Sequence, residues 1–426
     1  MKHVYPGFEN TAAHRHEPLA RRRTELAPGV YAFVGYGSSN FGVVTGKTGY
    51  ILIDTGDDLG GAEAALEEIK TLVPGPLQAI ILTHSHPDHR GGAEVFLRGA
   101  AGEIPVWGHP DFGAEQRAAK GLENVSALRA ARQFGVGIPD ESYPVNSLLP
   151  RFPGGKSGAP VSPNRFASNG MTPLTIDGVR LELHAIPGES TDHLAVWLPD
   201  CQVLFSGDHI YGSFPNIAPV RGGAYRDVEQ WARAVRRLME FTPKAIMFGH
   251  THVPDPEDIM PMLASYAEGL EHVYAETIRG MDAGLSADEL AAAVRLPAHL
   301  AAKPYLGEFY GAVPWAVRSI FAAKMGWFDG NPTNLVPLAP VEEAERMAEL
   351  AGGEAALLYA AEKALVEEDY RWAARLADCL LRLGHAPETV RGIKADALEG
   401  LSRDILPVSG KNYLARSASE LRRTPS

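Results

Sequence analysis

The sequence predicts an α/β domain followed by an all-α domain, and three observations carry that reading. Short β-rich runs separated by Gly and Ser turns alternate with helical stretches through residues 25–269. That order is compatible with two sheets packed face to face with helices outside. Residues 341–402 are rich in Ala, Leu and Glu at helical spacing, the pattern of an antiparallel helical array. The chain of 426 residues is also too long for one compact domain and suggests two or three.

Taken in order, residues 1–24 are polar and basic, include Arg21-Arg22-Arg23, and read as a loosely packed arm. Val30–Val34, Asn40–Val44 and Tyr50–Asp54 are strands, and 61–73 is an amphipathic helix. The apolar run Leu77–Leu82 is a buried strand, and Gly91–Leu97 opens a helix. Val106–Pro110 is a short strand, and 111–135 reads as helix. Residues 136–172, rich in Pro, Gly, Ser and Asn, read as a long loop of the kind that lines a substrate entrance. Strands resume at Pro173–Ile176, Val179–His184, Ala195–Leu198, Val203–Ser206 and Ala245–Phe248.

Between the strand at 77–82 and the helix at 91 stands Thr83-His84-Ser85-His86-Pro87-Asp88-His89. On an extended strand end His84 and His86 point the same way, so both can bind one metal ion. Asp88 and His89 lie past the bend and can bind a second. Imidazole nitrogen with carboxylate oxygen suits zinc, with iron or manganese as less selective choices. Burying three histidines and an aspartate without a metal would leave many polar groups to satisfy.

A net charge of −12 with pI near 5.7 argues against general nucleic-acid binding, although local basic groups decide whether an anionic substrate fits. The N-terminus lacks an apolar core of the length a signal peptide needs, and no apolar run is long enough for a membrane span. Cys201 and Cys379 lie far apart, which fits a reducing compartment, and the cytoplasm is expected.

The pattern His-x-His-x-Asp-His resembles that of the metallo-β-lactamase superfamily, and other pieces of that family's site follow in order. Asp54-Thr55-Gly56 matches an element that lies beneath the metals. Ile186-Pro187-Gly188-Glu189 stands where relatives usually carry Pro-Gly-His, and a carboxylate is a competent replacement. Asp208, after Ser206-Gly207, matches the bridging carboxylate, and His250 matches the last ligand of the second metal, with His252 ranked behind it. The resemblance implies an αββα sandwich holding two zinc ions: His84, His86 and Glu189 for one, Asp88, His89 and His250 for the other, Asp208 bridging. His109, His184, His193 and His209 are then packing or supporting residues.

Two further stretches resemble the alkylsulfatase branch of that superfamily. Glu189 occupies the position where this branch has glutamate, and Phe214-Pro215-Asn216-Ile217-Ala218-Pro219-Val220-Arg221-Gly222 is similar to its Asn-Leu-Tyr-x-x-Arg-Gly segment. Asn216 and Arg221 thereby inherit contact with the sulfate group, which a guanidinium suits by donating to two oxygens at once. Read alone, Arg221 equally well caps a loop or pairs with Asp227. Phe309–Val313, Lys324–Leu335, Pro340–Ala344, Asp369–Ala374 and Asn412–Leu414 look like the branch's helical dimerisation domain.

Departures accompany the match. The branch usually bridges with glutamate, here Asp208, and a tyrosine near its substrate is matched by Phe134. Its Ser-His-Asn segment, whose histidine is a proposed general acid, reads Pro314-Trp315-Ala316. The sterol-carrier-like domain of the long-chain enzymes is not expected, because the chain stops at Ser426. The resulting expectation is a cytoplasmic, homodimeric, binuclear zinc hydrolase with a catalytic domain at 25–269 and a helical dimerisation domain at 270–426. Its expected substrate is a small anionic sulfate monoester, cleaved by water held between the metals, with Asp88 shuttling protons. A lactone, a carboxylic ester or a phosphoester is the alternative substrate. A helical interaction protein with a vestigial hydrolase domain is the non-enzymatic one, and seven retained ligands argue against it.

Overall fold

Strands buried on both faces need cover on both, and that requirement sets the architecture. The computed structural model describes residues 19–73, 75–98, 100, 102–139 and 156–423. Strands β1 (Arg22–Ala27), β2 (Val30–Val34), β3 (Phe41–Thr45), β4 (Tyr50–Ile53), β5 (Leu77–Ile81), β6 (Val106–Gly108) and β7 (Arg165–Phe166) form one sheet in chain order. It is antiparallel from β1 to β4 and parallel from β4 to β7. The second sheet has the order β12-β11-β10-β9-β8. Its strands are β8 (Met171–Ile176), β9 (Val179–Ala185), β10 (Leu194–Leu198), β11 (Val203–Gly207) and β12 (Ala245–Phe248), and only β11 and β12 pair in parallel.

Side-chain alternation along each strand divides the core. On β4, Ile51 and Ile53 meet Leu183, Val196 and Phe205 between the sheets. Tyr50 and Leu52 face the other way, onto Ala62, Ala65 and Ile69 of α1 (Leu59–Leu72). On β10, Ala195 and Trp197 face outward against α5 (Val228–Met239) and α6 (Ile259–Asp282). The result is the expected αββα layering, with α2 (Ala93–Leu97) sharing the core of α1, and residues of α3 (Ala114–Ala118) and α4 (Glu123–Gln133) lining a cavity with His86 beyond the end of β5.

Three stretches differ from the sequence reading. The helix expected over 111–135 is broken into α3 and α4, with Gly121 at φ +90° between them, a conformation that ends a helix. The basic arm becomes strand from Arg22, because pairing with β2 occupies the backbone donors and acceptors of that strand's outer edge. Of the long loop expected at 136–172, residues 140–155 lie outside the described residues, while Arg165–Phe166 and Met171–Ile176 are strands.

The boundary expected at 269/270 falls inside α6, and the core that α6 joins runs on through α7 (Ala287–Ala293), past α8 (Ala298–Ala301), to α9 (Val313–Met325). Helices α10 (Pro340–Ala351), α11 (Glu354–Val366), α12 (Tyr370–Leu383) and α13 (Pro387–Asp404) share a separate core around Leu357, Leu376, Leu380 and Val390. Finally α14 (Val408–Arg422) returns to α4, where Glu420 pairs with Arg132 at 2.7 Å and Asn412 Nδ2 donates to the Gln133 carbonyl at 3.1 Å.

Candidate metal centre

Strand ends from both sheets deliver the polar residues to one place. β5 leads into His84 and His86, and the turn Pro87–His89 follows. β11 ends at Gly207 with Asp208 next, β12 is followed by Gly249-His250, and Glu189 stands on the β9–β10 connection. Ligand atoms of His84, His86, Glu189 and Asp208 lie within 4.8 Å of one another, as do those of Asp88, His89 and His250. Asp208 joins the two sets. Its Oδ2 is 3.8 Å from His84 Nε2 and 3.2 Å from His250 Nε2, and its Oδ1 is 3.3 Å from His89 Nε2. Gly249 has to be glycine here, since a Cβ would stand 1.8 Å from Asp208 Oδ1.

The outward-facing nitrogens of the four histidines are all engaged. His89 Nδ1 lies 2.8 Å from Asp54 Oδ2, and Asp54 also accepts from the Thr83 amide and hydroxyl, each at 2.8 Å. Because the Thr83 hydroxyl donates to Asp54, its oxygen accepts from His84 Nδ1 at 3.1 Å. His250 Nδ1 donates to the Ser38 carbonyl at 2.7 Å, and His86 Nε2 faces Glu115 Oε2 at 3.3 Å. With one proton of each ring committed outward, loss of any second proton leaves the inward nitrogen as a lone pair, the tautomer a metal needs. His89 Nε2 and Asp208 Oδ1 are buried and hydrogen-bond to nothing, although they face each other. Two orphaned acceptors in an N/O donor set fit a divalent ion such as zinc.

Charge is finely balanced around the cluster. Burial, with neighbouring histidines, drives the His84 imidazole well below its usual pKa. Burial also opposes protonation of His86, but Glu115 and Glu189 outweigh it and lift that histidine to about 9. Asp208 with Asp88 lifts His250 to about 9 against the same penalty. Burial penalises the Asp208 carboxylate, yet His250 and His89 hold it well below the usual range. Glu189 forms a fully buried ion pair with Arg226, which also donates to the Asn216 carbonyl at 2.7 Å. Burial works against the Arg226 charge, and Glu189 with Glu115 more than restores it.

A cavity of about 610 Å³ opens over this cluster. Its inner end is formed by His86, Asp88, Glu189, Asp208, His250 and Arg226, and one wall by Ala118, Ala119, Leu122, Val125, Ala130 and Phe134. Arg221 also lines the cavity, 3.6 Å from Glu115 and with its side chain donating to the Gly222 carbonyl at 3.1 Å. It does not pair with Asp227, which instead caps α5 by accepting from the Gln230 amide. Asn216 is buried behind the cavity. Its amide donates to the Tyr211 hydroxyl and its carbonyl accepts from Arg226, and its side chain is not part of the cavity lining.

His252 is exposed, and His109 accepts from the Asp111 amide away from the cluster. His193 accepts from the Asp208 amide at 3.0 Å and stacks on His84, so it supports the cluster from behind. Trp315 rests on Gly410 and is not among the cavity-lining residues. Arg226, Glu115, Tyr310 and Gln133 are the residues the sequence reading missed. Tyr310 carried a signal as part of the quoted Phe309–Val313 motif, while the other three carried none.

Residues 34–250 match the metallo-beta-lactamase superfamily, and residues 286–424 match the alkyl sulfatase dimerisation family. A linear primary-alkylsulfatase from Pseudomonas sp. (strain ATCC 19151) is 30% identical over 388 residues, covering 89% of this chain and 73% of that protein. The chain belongs to the alkylsulfatase branch of the metallo-β-lactamase superfamily. An (R)-specific secondary-alkylsulfatase from Pseudomonas sp. is 30% identical over 412 residues, 93% of this chain and 62% of the relative. The solved stereoselective inverting sec-alkylsulfatase Pisa1 from Pseudomonas sp. superposes with a TM-score of 0.86 at 29% identity, covering 95% of this chain and 66% of that one. The chain thus spans less than two thirds of the length of these last two relatives. The family is one of hydrolases, and its members' shared fold is the one seen here.

The charge balance has a measurable consequence. In metal-free protein, His86 and His250 have pKa values raised from 6.5 to about 9. They therefore add stability that is complete below pH 6.5 and lost as pH rises through 9. Divalent ions must displace those protons and the one that Asp208 and Asp54 hold on His89 against burial, so loading zinc at pH 7 is expected to release about three protons per chain. Calorimetry in buffers of different ionisation enthalpy measures this directly. Zinc uptake without proton release would contradict the inward-facing roles of these nitrogens.

Proposed function

We propose that this chain is a binuclear zinc hydrolase that cleaves a sulfate monoester. The observation that carries the reading is the juxtaposition of seven ligand side chains, in two sets joined by Asp208, with a cavity that holds a guanidinium and an apolar wall. An ester with one anionic end and one apolar end matches such a cavity.

His84, His86 and Glu189 would hold one ion, Asp88, His89 and His250 the other, and Asp208 both. Ions bound there supply a Lewis-acid centre that brings the pKa of water towards neutrality and so provides a nucleophile at working pH. The chain's own residues do the rest. Asp54 and Ser38 keep His89 and His250 turned inward, and Arg226 fixes Glu189. Arg221 offers its guanidinium to the anionic group, with Glu115 holding it at the cavity wall. Asp88 is 29% exposed where Glu189 and Asp208 are 3% and 5%, so it is the carboxylate placed to take a proton from water and pass it to solvent. Asn216 contributes by holding Arg226 through its carbonyl. Trp315 offers no acid to the cavity. That is tolerable when sulfate leaves from carbon and more damaging when an alkoxide must leave from sulfur.

The helical part of the chain is proposed to assemble it as a homodimer. Trp327 is 80% exposed, Val336 and Leu350 are 87% exposed and Val366 is 84% exposed, apolar surface that a second copy would cover. No helix among the described residues is long and apolar enough to cross a membrane.

Three measurements test these statements. Metal analysis of purified protein is expected to give near two ions per chain, with Glu189→Ala emptying chiefly one site and His250→Ala the other. Full occupancy and activity in both variants would sink the ligand assignment. A charge-assisted hydrogen bond contributes about 1.5–3 kcal/mol, so Arg221→Ala is expected to lower kcat/KM for a sulfate ester about tenfold to a few hundredfold. Hydrolysis of a neutral carboxylic ester or lactone should hardly change, and Arg221→Lys should recover only part of the loss. An equal drop on both substrate types, with metals intact, would make Arg221 structural and bring the lactone or ester reading forward. Light scattering at micromolar concentration should give twice the chain mass, and Val336→Asp should shift the protein towards monomer. A monomeric wild type would remove the assembly role.

A further inference from the structure

The hydrogen-bond directions around Gln133 can be settled one after another. The Arg221 backbone N–H can only donate, and it meets Gln133 Oε1 at 2.8 Å. That contact fixes the amide flip, so Gln133 Nε2 faces Tyr310 Oη, at 3.3 Å, and donates to it. The phenol oxygen is thereby occupied as an acceptor, and its own proton must point elsewhere. Tyr310 lines the cavity together with His86, Asp88, Arg221 and Asp208, and among the described residues its hydroxyl finds no protein acceptor.

This phenol is rigidly held. The Tyr310 amide donates to Ser213 Oγ at 3.2 Å, and its carbonyl accepts from Ser409 Oγ at 2.8 Å. The next residue, Gly311, lies against the 215–216 loop so closely that a Cβ would stand 2.1 Å from the Pro215 carbonyl oxygen. Gln133 is fully buried, and its own carbonyl accepts from Asn412. Strand-end loops, α4 and α14 thus converge to aim one O–H into the cavity. Burial, with Glu189 and Asp88 nearby, pushes this phenol above the usual tyrosine range, so it keeps that proton at neutral pH.

We propose that Tyr310 is a catalytic residue that donates a hydrogen bond to the bridging ester oxygen of the substrate, and that Gln133 is the positioning residue that directs the bond. The proposal rests on the sulfate-ester reading above. Water adds at carbon or at sulfur, and the C–O or S–O bond breaks. In both cases the electron pair of that bond stays on the bridging oxygen, where negative charge grows. The proton lost by the attacking water passes to Asp88 and then to solvent or the leaving group, and the products are the alcohol and hydrogen sulfate. Tyr310 keeps its proton throughout. Its bond strengthens as charge develops, so it acts on turnover more than on binding.

The test uses the full-length, zinc-loaded protein and a panel of alkyl and aryl sulfates. Tyr310→Phe is expected to lower kcat by about ten- to several-hundredfold with KM little changed and metal content intact. Gln133→Leu should lower kcat by a smaller factor than Tyr310→Phe in the wild type and by clearly less in the Tyr310→Phe background, where only its hold on the Arg221 amide remains to be lost. A merely structural glutamine would lower activity equally in both. Wild-type kcat in Tyr310→Phe, or a loss confined to KM or to metal content, would overturn the role while leaving the sulfatase reading intact. A wild type inert to every sulfate ester would overturn the reading itself and this role with it.

Discussion

Four histidines and the carboxylates of Glu189 and Asp208, buried at the rim of two sheets with Asp88 partly exposed beside them, are the constraint on which the rest of this molecule depends. An isolated buried charge is costly, and none of these groups is isolated. Asp208 is held ionised by His250 and His89, and Glu189 pairs with Arg226, itself fully buried. Asp54 sits behind His89 with Thr83 saturating its oxygens. Such a network is stable only when its members are fixed to fractions of an ångström, and that explains the glycine at 249. It also explains why ligands are supplied from strand ends, the stiffest places from which a loop can depart.

The same network links metal and substrate functions. Glu115 faces His86 on one side and Arg221 on the other, so the residue that would meet an anion is tied to a residue that would meet a metal. Gln133 extends the connection from the Arg221 backbone to Tyr310 and to α14. A cavity assembled this way changes as a unit. Substitutions at one member are expected to be non-additive with those at its neighbours.

Much of this was legible in the chain itself. Strands such as Val30–Val34 stand where alternation and turn residues place them, because a two-residue period and glycine punctuation are local properties. The seven candidate ligands are brought together as their positions after apolar strands suggest. What escaped was set by three-dimensional packing. Arg226 precedes an ordinary helix cap, and nothing in its neighbours foretells that its side chain turns inward to Glu189. Glu115 lies on a five-residue helix in a stretch that read as continuous, because the break at Gly121 depends on a positive φ that Gly permits without requiring. Asn216 shows another limit. Its motif position suggests a side chain facing the anion, and the contacts seen here are made by its backbone, which no side-chain pattern specifies.

The core shared by the second sheet with α6, α7 and α9 bears on how this chain can be divided. The outward faces of β10 to β12 are covered by Leu263, Tyr266 and Leu270, and behind them by Leu290, Val317 and Ile320. Cutting at the family boundary would therefore bare an oily surface on the catalytic half and remove the tyrosine that faces its cavity. The two halves match different families and are inseparable in practice: for an engineer, the smallest useful fragment runs through α9 and keeps α14 against α4, and α10 to α13 between them are the portion open to exchange.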